Sequence, residues 1–392
     1  MTKITSLRSG DTGSGDTGSG IGGPDALLTV DLDALAGNFT RYQKLAHGAE
    51  VAGVVKANAY GLGLAPVARA MAAAGCKTFF VTDAAEGTAL RAILPDAIIY
   101  LTNGLPPGAG PLARAAALRP CLGSLAELEA WSLESDIAGQ ALPAALHFDT
   151  GMNRLGFDAR EAAYLLDHMD EAKGIEISLI MSHLACADEP DHPLNKAQLA
   201  RFREIATSFH DTPRSLANSA GVLLGADYCF DLVRPGYAIY GGVPVEGHAS
   251  PVTPVVTAQA RVLQVREVEP GEAAGYGGTW QAEGPRRLAT LSMGYADGYF
   301  RALGSNAGAA RVFVGGHFAP LAGRISMDLL MVDITALPDD AVRRGDLAEL
   351  IGPHVSLEEV AARAGTIGYE VLTSLGDRYI RHYTGKAVAA ES

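Results

Sequence analysis

From residue 51 to about 235 the chain repeats one unit, a short apolar run followed by a segment with apolar residues at helical spacing. The runs are "VAGVV", "TFFVT", "AIIYLT", "LRPCL", "ALHFD", "EISLIMSH", "RSLAN" and "DLVRP". Most of the gaps hold stretches such as "LAPVARAMAAAG", "AELEAWSLES" and "HPLNKAQLARFREIATSF", whose period is that of amphipathic helices. Continuous apolar strands alternating with helices predict a parallel sheet covered by helices, since such strands are buried on both faces. Eight units in about 190 residues predict a closed (β/α)8 barrel of the TIM type rather than an open sheet. The last unit is the least regular, because the spacing between strands shortens there.

After about residue 245 the pattern changes. Runs such as "TAQARVLQVREVE", "RLATLSMGY" and "ARVFVGGHFAPLAGRISMDLLMVDI" alternate and are bounded by Gly and Pro. No long helical period interrupts them until "SLEEVAARAG", so a mostly antiparallel β domain is expected over 246–385. The barrel is expected over 25–245, and its leading strand "ALLTVDL", at 26–32, is expected to pair with the second domain. Residues 10–20, "GDTGSGDTGSG", are too polar to offset their ordering entropy, so 1–24 reads as a disordered tail and 386–392 as a second tail. The glycines are not a phosphate loop, since no strand precedes them and no Gly-Lys-Ser/Thr follows.

A net charge of −13 argues against a nucleic-acid surface, which needs basic patches. Cys76, Cys121, Cys186 and Cys229 form no CxxC pair, which fits a reduced compartment and offers no zinc site. No apolar run approaches the roughly 20 residues of a membrane span, and "MTKITSLRSG" lacks a signal-peptide core. A cytoplasmic protein without nucleic-acid or membrane partners is the expectation.

In a barrel of this kind the chemistry sits at the C-terminal strand ends. Those ends carry Lys56, Arg154, His183, Asn218, Ser219 and Arg234, a cationic mouth suited to an anionic cofactor or substrate. Lysine is seldom buried unless paired or chemically employed, so Lys56 is either a solvated strand end or an amine placed for Schiff-base chemistry. A metal-dependent hydrolase would want clustered His, Asp and Glu, and only His183 and Asp149 qualify, so no metal is expected.

The segments "VVKANAYGLG", "DTGMNRLG", "SHLACADE", "LANSAG", "RPGYAIYGG", "GYGGTW", "GYADGY" and "GRISMDLLMVDI" resemble, in order and spacing, the motifs of bacterial alanine racemases. The resemblance covers roughly residues 25–385. It implies a fold-type III pyridoxal-phosphate enzyme that interconverts L- and D-alanine as a head-to-tail homodimer, each active site completed by both chains. On that resemblance Lys56 holds the cofactor as a Schiff base and acts as the base on one face of the substrate. Tyr60, Ser219, Gly236, Tyr237 and Tyr369 fall where the family binds the phosphate through hydroxyls and backbone N–H groups, and Asn218 joins the cofactor set. Taken singly, Tyr60 and Tyr369 read equally well as ordinary tyrosines, and Ser219 as a helix N-cap.

Arg234 resembles the arginine that faces the pyridine nitrogen, a donor that keeps its proton. Alone it would read as the cap of a turn before Pro235. Tyr276 resembles the tyrosine lent by the neighbouring subunit as the second base. His183, which alone reads as a core histidine, resembles the residue linking that tyrosine to Arg234. Arg154 and the backbone N–H of Met327 resemble the grip on the substrate carboxylate, and Tyr295 a tyrosine narrowing the entrance.

The sequence departs from the family in places. Many members carry a carbamylated lysine where His147 stands, and no carbamate can form there; either an anion such as chloride holds Arg154 or the site does without. Ser215 stands where a histidine is frequent and Ser326 where a cysteine is common. Three rival readings remain: a single-barrel cofactor-binding protein, a decarboxylase of the same fold, and a racemase for serine or basic amino acids. The second domain argues against the first. Arg234 argues against the second, which pairs the pyridine nitrogen with an acid. Nothing in the residues separates the third.

Overall fold

Strands buried on both faces and each followed by a helix can pair only in parallel through crossovers. The computed structural model describes residues 25–245, 247–248, 250–304 and 310–386, and its first half is built in that way. The expected tail at 1–24 lies outside the described residues, as does the expected tail at 386–392 apart from Lys386. The first barrel strand is broken at Ala52 into β2 (Glu50–Val51) and β3 (Gly53–Val54). It is followed in order by β4 (Thr78–Val81), β5 (Ile98–Leu101), β6 (Arg119–Leu122), β7 (Leu142–His147), β8 (Ile175–Met181) and β9 (Arg214–Ser215), each parallel to the last. The last barrel strand, β10 (Leu232–Val233), is short, yet it closes the ring. Val233 O accepts from Ala52 N at 2.9 Å on one side. On the other, Asp231 N donates to Arg214 O at 3.1 Å and Arg234 N to Ala217 O at 2.9 Å.

The covering helices are α3 (Leu64–Ala73), α4 (Ala84–Ile93), α5 (Gly110–Ala115), α6 (Leu125–Ala138), α7 (Ala159–Asp167), α8 (Pro193–Ala206), α9 (Ser219–Leu223) and α10 (Ala226–Cys229). Several of them begin at a capping side chain. Asp83, Ser124, Asp158 and Asn218 each accept a backbone N–H of the first turn, as N-caps do. The cap of α9 is thus Asn218, and Ser219 is its first helical residue, free for another role.

One element breaks the pattern. The residues following Lys56, labelled α2 (Lys56–Tyr60), form a single left-handed turn: Ala57, Asn58, Ala59 and Tyr60 have φ between 54° and 56°. Left-handed backbone costs an L-residue about 1–2 kcal/mol, so four in succession persist only where their surroundings over-determine them.

The second half is organised on β11 (Val256–Val268), whose buried and half-exposed residues alternate as in a strand with one covered face. It pairs antiparallel with β14 (Arg286–Leu291), with β18 (Leu347–Ile351) and with β1 (Ala26–Asp31), the strand that leads directly into α1 (Leu32–Leu45) of the barrel. β19 (Ile380–Thr384) adds to β1 in parallel. Hairpins β12–β13 (Ala273–Ala274, Trp280–Gln281) and β15–β16 (Arg311–Val314, His317–Pro320) and the strand β17 (Leu330–Asp333) complete the sheets. Two helices follow, α11 (Leu357–Ala364), capped by Ser356, and α12 (Gly368–Ser374).

The second half reaches back over the barrel mouth. Arg381 donates to Gly61 O at 3.2 and 3.0 Å, and Tyr383 OH to Leu62 O at 2.9 Å. Gly61 (φ +82°) has to be glycine, because a Cβ would also stand 2.7 Å from Leu372 O of α12.

Candidate active site at the barrel mouth

The strand ends and α12 enclose a cavity of about 780 Å³. Of the residues singled out in the sequence, Lys56, Tyr60, Arg154, His183, Asn218, Ser219, Arg234, Gly236, Tyr237 and Tyr369 all line it. His147 also lines it. Tyr276, Tyr295 and Met327 do not; they lie on the second half of the chain and are 69%, 43% and 53% exposed.

Lys56 enters directly after the first barrel strand. Among the described residues its amine has no ion-pair or hydrogen-bond partner. Burial, and then the charge of Arg154, lower its pKa; Glu86 opposes this and Arg234 adds to it. Both leading causes favour the neutral amine, the form that attacks a carbonyl.

Arg234, at the end of β10, is buried beneath the mouth. It donates to Ser182 O at 2.7 Å, to Ser215 Oγ, and to His183 Nδ1 at 3.2 Å. Its guanidinium lies 5.8 Å from the Phe80 ring. Burial pulls it down to about 10, so it stays charged at neutral pH. The Ser215 hydroxyl in turn donates to Leu232 O at 2.7 Å.

His183 follows β8. Gln198 on α8 holds this loop by donating to His183 O at 2.8 Å and accepting from Ala185 N at 2.9 Å. Burial, and next the charge of Arg234, keep His183 well below its ordinary pKa. His147 is lowered to about 4 by burial and then by Arg234. Both imidazoles are therefore neutral at pH 7, and His147 brings no negative charge to Arg154. Arg154 is carried by a loop in which Asp149 Oδ1 accepts from Gly151 N and Met152 N at 2.8 and 2.9 Å. Among the described residues the Arg154 guanidinium has no partner.

At the opposite side stands a cradle of donors. Ser219 Oγ accepts from Gly236 N at 3.0 Å and Ala238 N at 3.3 Å, which leaves its hydroxyl proton to donate elsewhere. A Cβ on Gly236 would run into the Tyr60 hydroxyl, so only glycine leaves this concavity open. Tyr60 stacks on Tyr240 at 4.4 Å, and among the described residues its own hydroxyl has no hydrogen-bond partner. Tyr369 stacks on Tyr237 at 4.0 Å. Burial raises all three phenols, Tyr369 to about 12, so they remain O–H donors. The hydroxyl of Tyr237 is spent on Glu358 at 3.2 Å, so this residue can offer a ligand only its backbone N–H. Several neutral donors around a concavity are what a phosphate requires, and a ring with an electrophilic carbon would find Lys56 and Arg234 in the same cavity. The residues present fit pyridoxal phosphate.

Sequence reasoning missed the contribution of α12 and the turn before it, where Thr366, Ile367, Glu370 and Thr373 line the cavity beside Tyr369. It also passed over Glu86, whose carboxylate bonds the residue next to Lys56. The "DAAE" start of α4 was the available signal. Among the described residues no group of His, Cys, Asp and Glu could hold a metal ion, and no helix is long and apolar enough to cross a membrane.

Family models for "Alanine racemase, N-terminal domain" and "Alanine racemase, C-terminal domain" match residues 30–244 and 255–383. An alanine racemase of Methylobacterium nodulans is 51% identical over 359 residues, which is 91% of this chain and 96% of that one. A catabolic alanine racemase of Mesorhizobium japonicum is 48% identical over 363 residues, covering 92% and 93%. Among solved structures, the alanine racemase of Bartonella henselae with covalently bound pyridoxal phosphate superposes with a TM-score of 0.88 at 41% identity. That match covers 92% of this chain and all of the other. With both halves matched and the barrel-mouth geometry in place, this chain belongs to the alanine racemase family, isomerases that use pyridoxal phosphate.

Proposed function

We propose that the protein interconverts L- and D-alanine with two bases, Lys56 on one face of the substrate and Tyr276 of the partner subunit on the other, in a cytoplasmic homodimer. What carries this reading is the single cavity shared by the Lys56 amine, the Arg234–His183 pair and the cradle of Tyr60, Ser219 and Gly236. Pyridoxal phosphate, when bound, supplies a conjugated sink for the electron pair left on the α-carbon as its proton departs.

Ser219, Tyr60 and Tyr369 would hold the phosphate through hydroxyl protons, with the N–H groups about Gly236 and Tyr237 beside them and Asn218 supporting their loop. Arg234 would face the ring nitrogen. Because it donates without surrendering its proton, it keeps the sink weak, which favours prompt reprotonation at the α-carbon over transamination. Lys56, driven towards its neutral form, would hold the cofactor until the substrate amine takes its place, and the freed amine would then accept or return the α-proton on its own face.

Inversion needs a proton donor on the other face, and Tyr276 stands out into solvent on its own chain, where a neighbour's barrel mouth can receive it. A phenol with an ordinary pKa near 10 is a poor base at pH 7. In a neighbour's barrel mouth it would meet the Nε2–H of a neutral His183 and the two guanidiniums of that cavity. Arg154 grips the substrate carboxylate together with the N–H of Met327 of the partner subunit, and Tyr295 of the partner subunit narrows the entrance. Those walls suit a small amino acid.

The test is borohydride reduction of the holoenzyme with peptide mapping, followed by a chirality assay across alanine, serine and basic amino acids. The reading requires the label on Lys56 and inversion of alanine fastest. A label elsewhere, or faster inversion of a larger amino acid, would displace it.

A further inference from the structure

Three helices of the barrel open with the same frame of N-cap, two residues and a glutamate: Asp83–Glu86 on α4, Ser124–Glu127 on α6 and Asp158–Glu161 on α7. In an ordinary capping box the glutamate returns to the N–H of the cap itself. Here Glu86 and Glu127 reach one residue further. Glu86 Oε2 accepts from Thr82 N at 2.8 Å, and Glu127 Oε2 from Gly123 N at 2.7 Å.

The second oxygen of each carboxylate crosses to the preceding strand–helix loop. Glu127 Oε1 accepts from Leu105 N at 3.1 Å, and Glu86 Oε1 from Ala57 N at 2.7 Å. Glu161 Oε1 accepts from Leu125 N at 3.2 Å, joining the start of α7 to that of α6. A row of carboxylates thus stitches neighbouring loops at the rim from which the site is built. The members differ in what they hold. Only Glu86 bonds the residue that follows Lys56.

Ala57 is also the first of the four left-handed residues, and the bonds within the turn leave its N–H aside. They run from Ala59 N to Val55 O, Gly61 N to Ala57 O, Leu62 N to Ala59 O and Gly63 N to Asn58 O, at 2.8 to 3.1 Å. An ionised carboxylate makes short, strong bonds to N–H groups, and this one anchors the strained turn at its first residue to the adjacent strand end. We propose that Glu86 is a positioning residue for Lys56, its bridge between Ala57 N and Thr82 N fixing the left-handed turn that aims the amine into the cavity. The carboxylate also supplies the negative charge that opposes Arg154 and Arg234 at the lysine, with His147 and His183 neutral nearby. This inference rests on the assignment of Lys56 as the amine that carries the cofactor.

Glu86→Gln keeps the shape but sets an NH2 against one of the two N–H groups, and Glu127→Gln makes the same change where no amine follows. Glu86→Asp keeps the charge and cannot span the gap, and serves if Glu86→Gln does not fold. The measurements are the rate at which the full-length protein, stripped of cofactor, recaptures pyridoxal phosphate, and the pH profile of Lys56 acylation followed by mass spectrometry. Thermal melting is recorded alongside. Recapture in Glu86→Gln should slow about ten- to a hundredfold, the factor expected for one lost charge-assisted hydrogen bond. Its Lys56 acylation profile should move to lower pH, while Glu127→Gln loses comparable thermal stability with both lysine readouts unchanged. Lysine readouts that are the same in Glu86→Gln, Glu127→Gln and the unaltered protein would overturn the proposal. If borohydride places the cofactor on another residue, the Lys56 assignment itself fails, and that result is read without either variant.

Discussion

Nη2 of Arg234 lies 3.2 Å from Nδ1 of His183, and that contact decides where the imidazole carries its proton. A guanidinium has only donors, so Nδ1 accepts and the hydrogen of the neutral ring is on Nε2. Burial and the same guanidinium hold His183 neutral. One arginine therefore serves two ends: a charged donor buried in the mouth, and a fixed tautomer in the histidine beside it.

Replacing Arg234 by glutamate should turn the proposed ring-nitrogen partner into a proton-sharing acid and strengthen the electron sink. Pyruvate formed per racemisation event should rise about tenfold or more, a change of ~1.4 kcal/mol between competing barriers. Unchanged partitioning would remove Arg234 from this role.

Tyr276→Phe deletes one of the two proposed bases and leaves Lys56 intact. Exchange of the α-proton with deuterated solvent should fall by about 10²–10⁴-fold for one enantiomer and far less for the other, the usual range for a lost acid–base group. Equal losses for both enantiomers would refute a two-base division.

Tyr60→Phe keeps the ring stacked on Tyr240 and removes only the O–H. Affinity for pyridoxal phosphate should fall about ten- to a hundredfold, as for one hydrogen bond to a charged group, with little change in melting of the cofactor-free chain. Equilibrium titration of the stripped protein measures this, and an unaltered dissociation constant would exclude the hydroxyl from the phosphate cradle.

His147 gives a prediction in pH. Its folded pKa of about 4 lies below the ordinary 6.5, so the unfolded chain binds a proton that the folded chain refuses between those values. The stability from keeping this ring neutral is complete above pH 6.5 and is lost as pH falls towards 4, with a slope of at most ~1.4 kcal/mol per pH unit from this group. Urea unfolding at pH 7, 6 and 5 should show a shallower decline in His147→Asn. Parallel declines in the two proteins would mean that His147 is not held neutral by the fold.

Much of the site could be read from residue order because a parallel barrel sends every strand in one direction. Once the apolar runs were recognised, Lys56, His183 and Arg234 had to share a rim, whatever the helices between them did. The wall from α12 could not be read in this way. It depends on contacts such as Arg381 to Gly61, 320 residues apart, and no local pattern announces which face of a distant domain will cover a barrel. The division of labour between Tyr60 and Tyr237 was equally hidden, since only the Glu358 carboxylate takes the Tyr237 hydroxyl out of play.

The sequence by itself determined the barrel, the β-rich second half and the kinds of side chain gathered at the mouth, because periodicity and residue chemistry are properties of neighbours along the chain. Tertiary structure alone decided the hand of the turn after Lys56. "KANAY" contains no glycine and favours an ordinary right-handed turn. The left-handed form costs several kcal/mol in sum, at about 1–2 kcal/mol per residue. Bonds from Glu86, Tyr240, Arg381 and Tyr383 to this segment and its flanks, each made from another element of the fold, offset that cost.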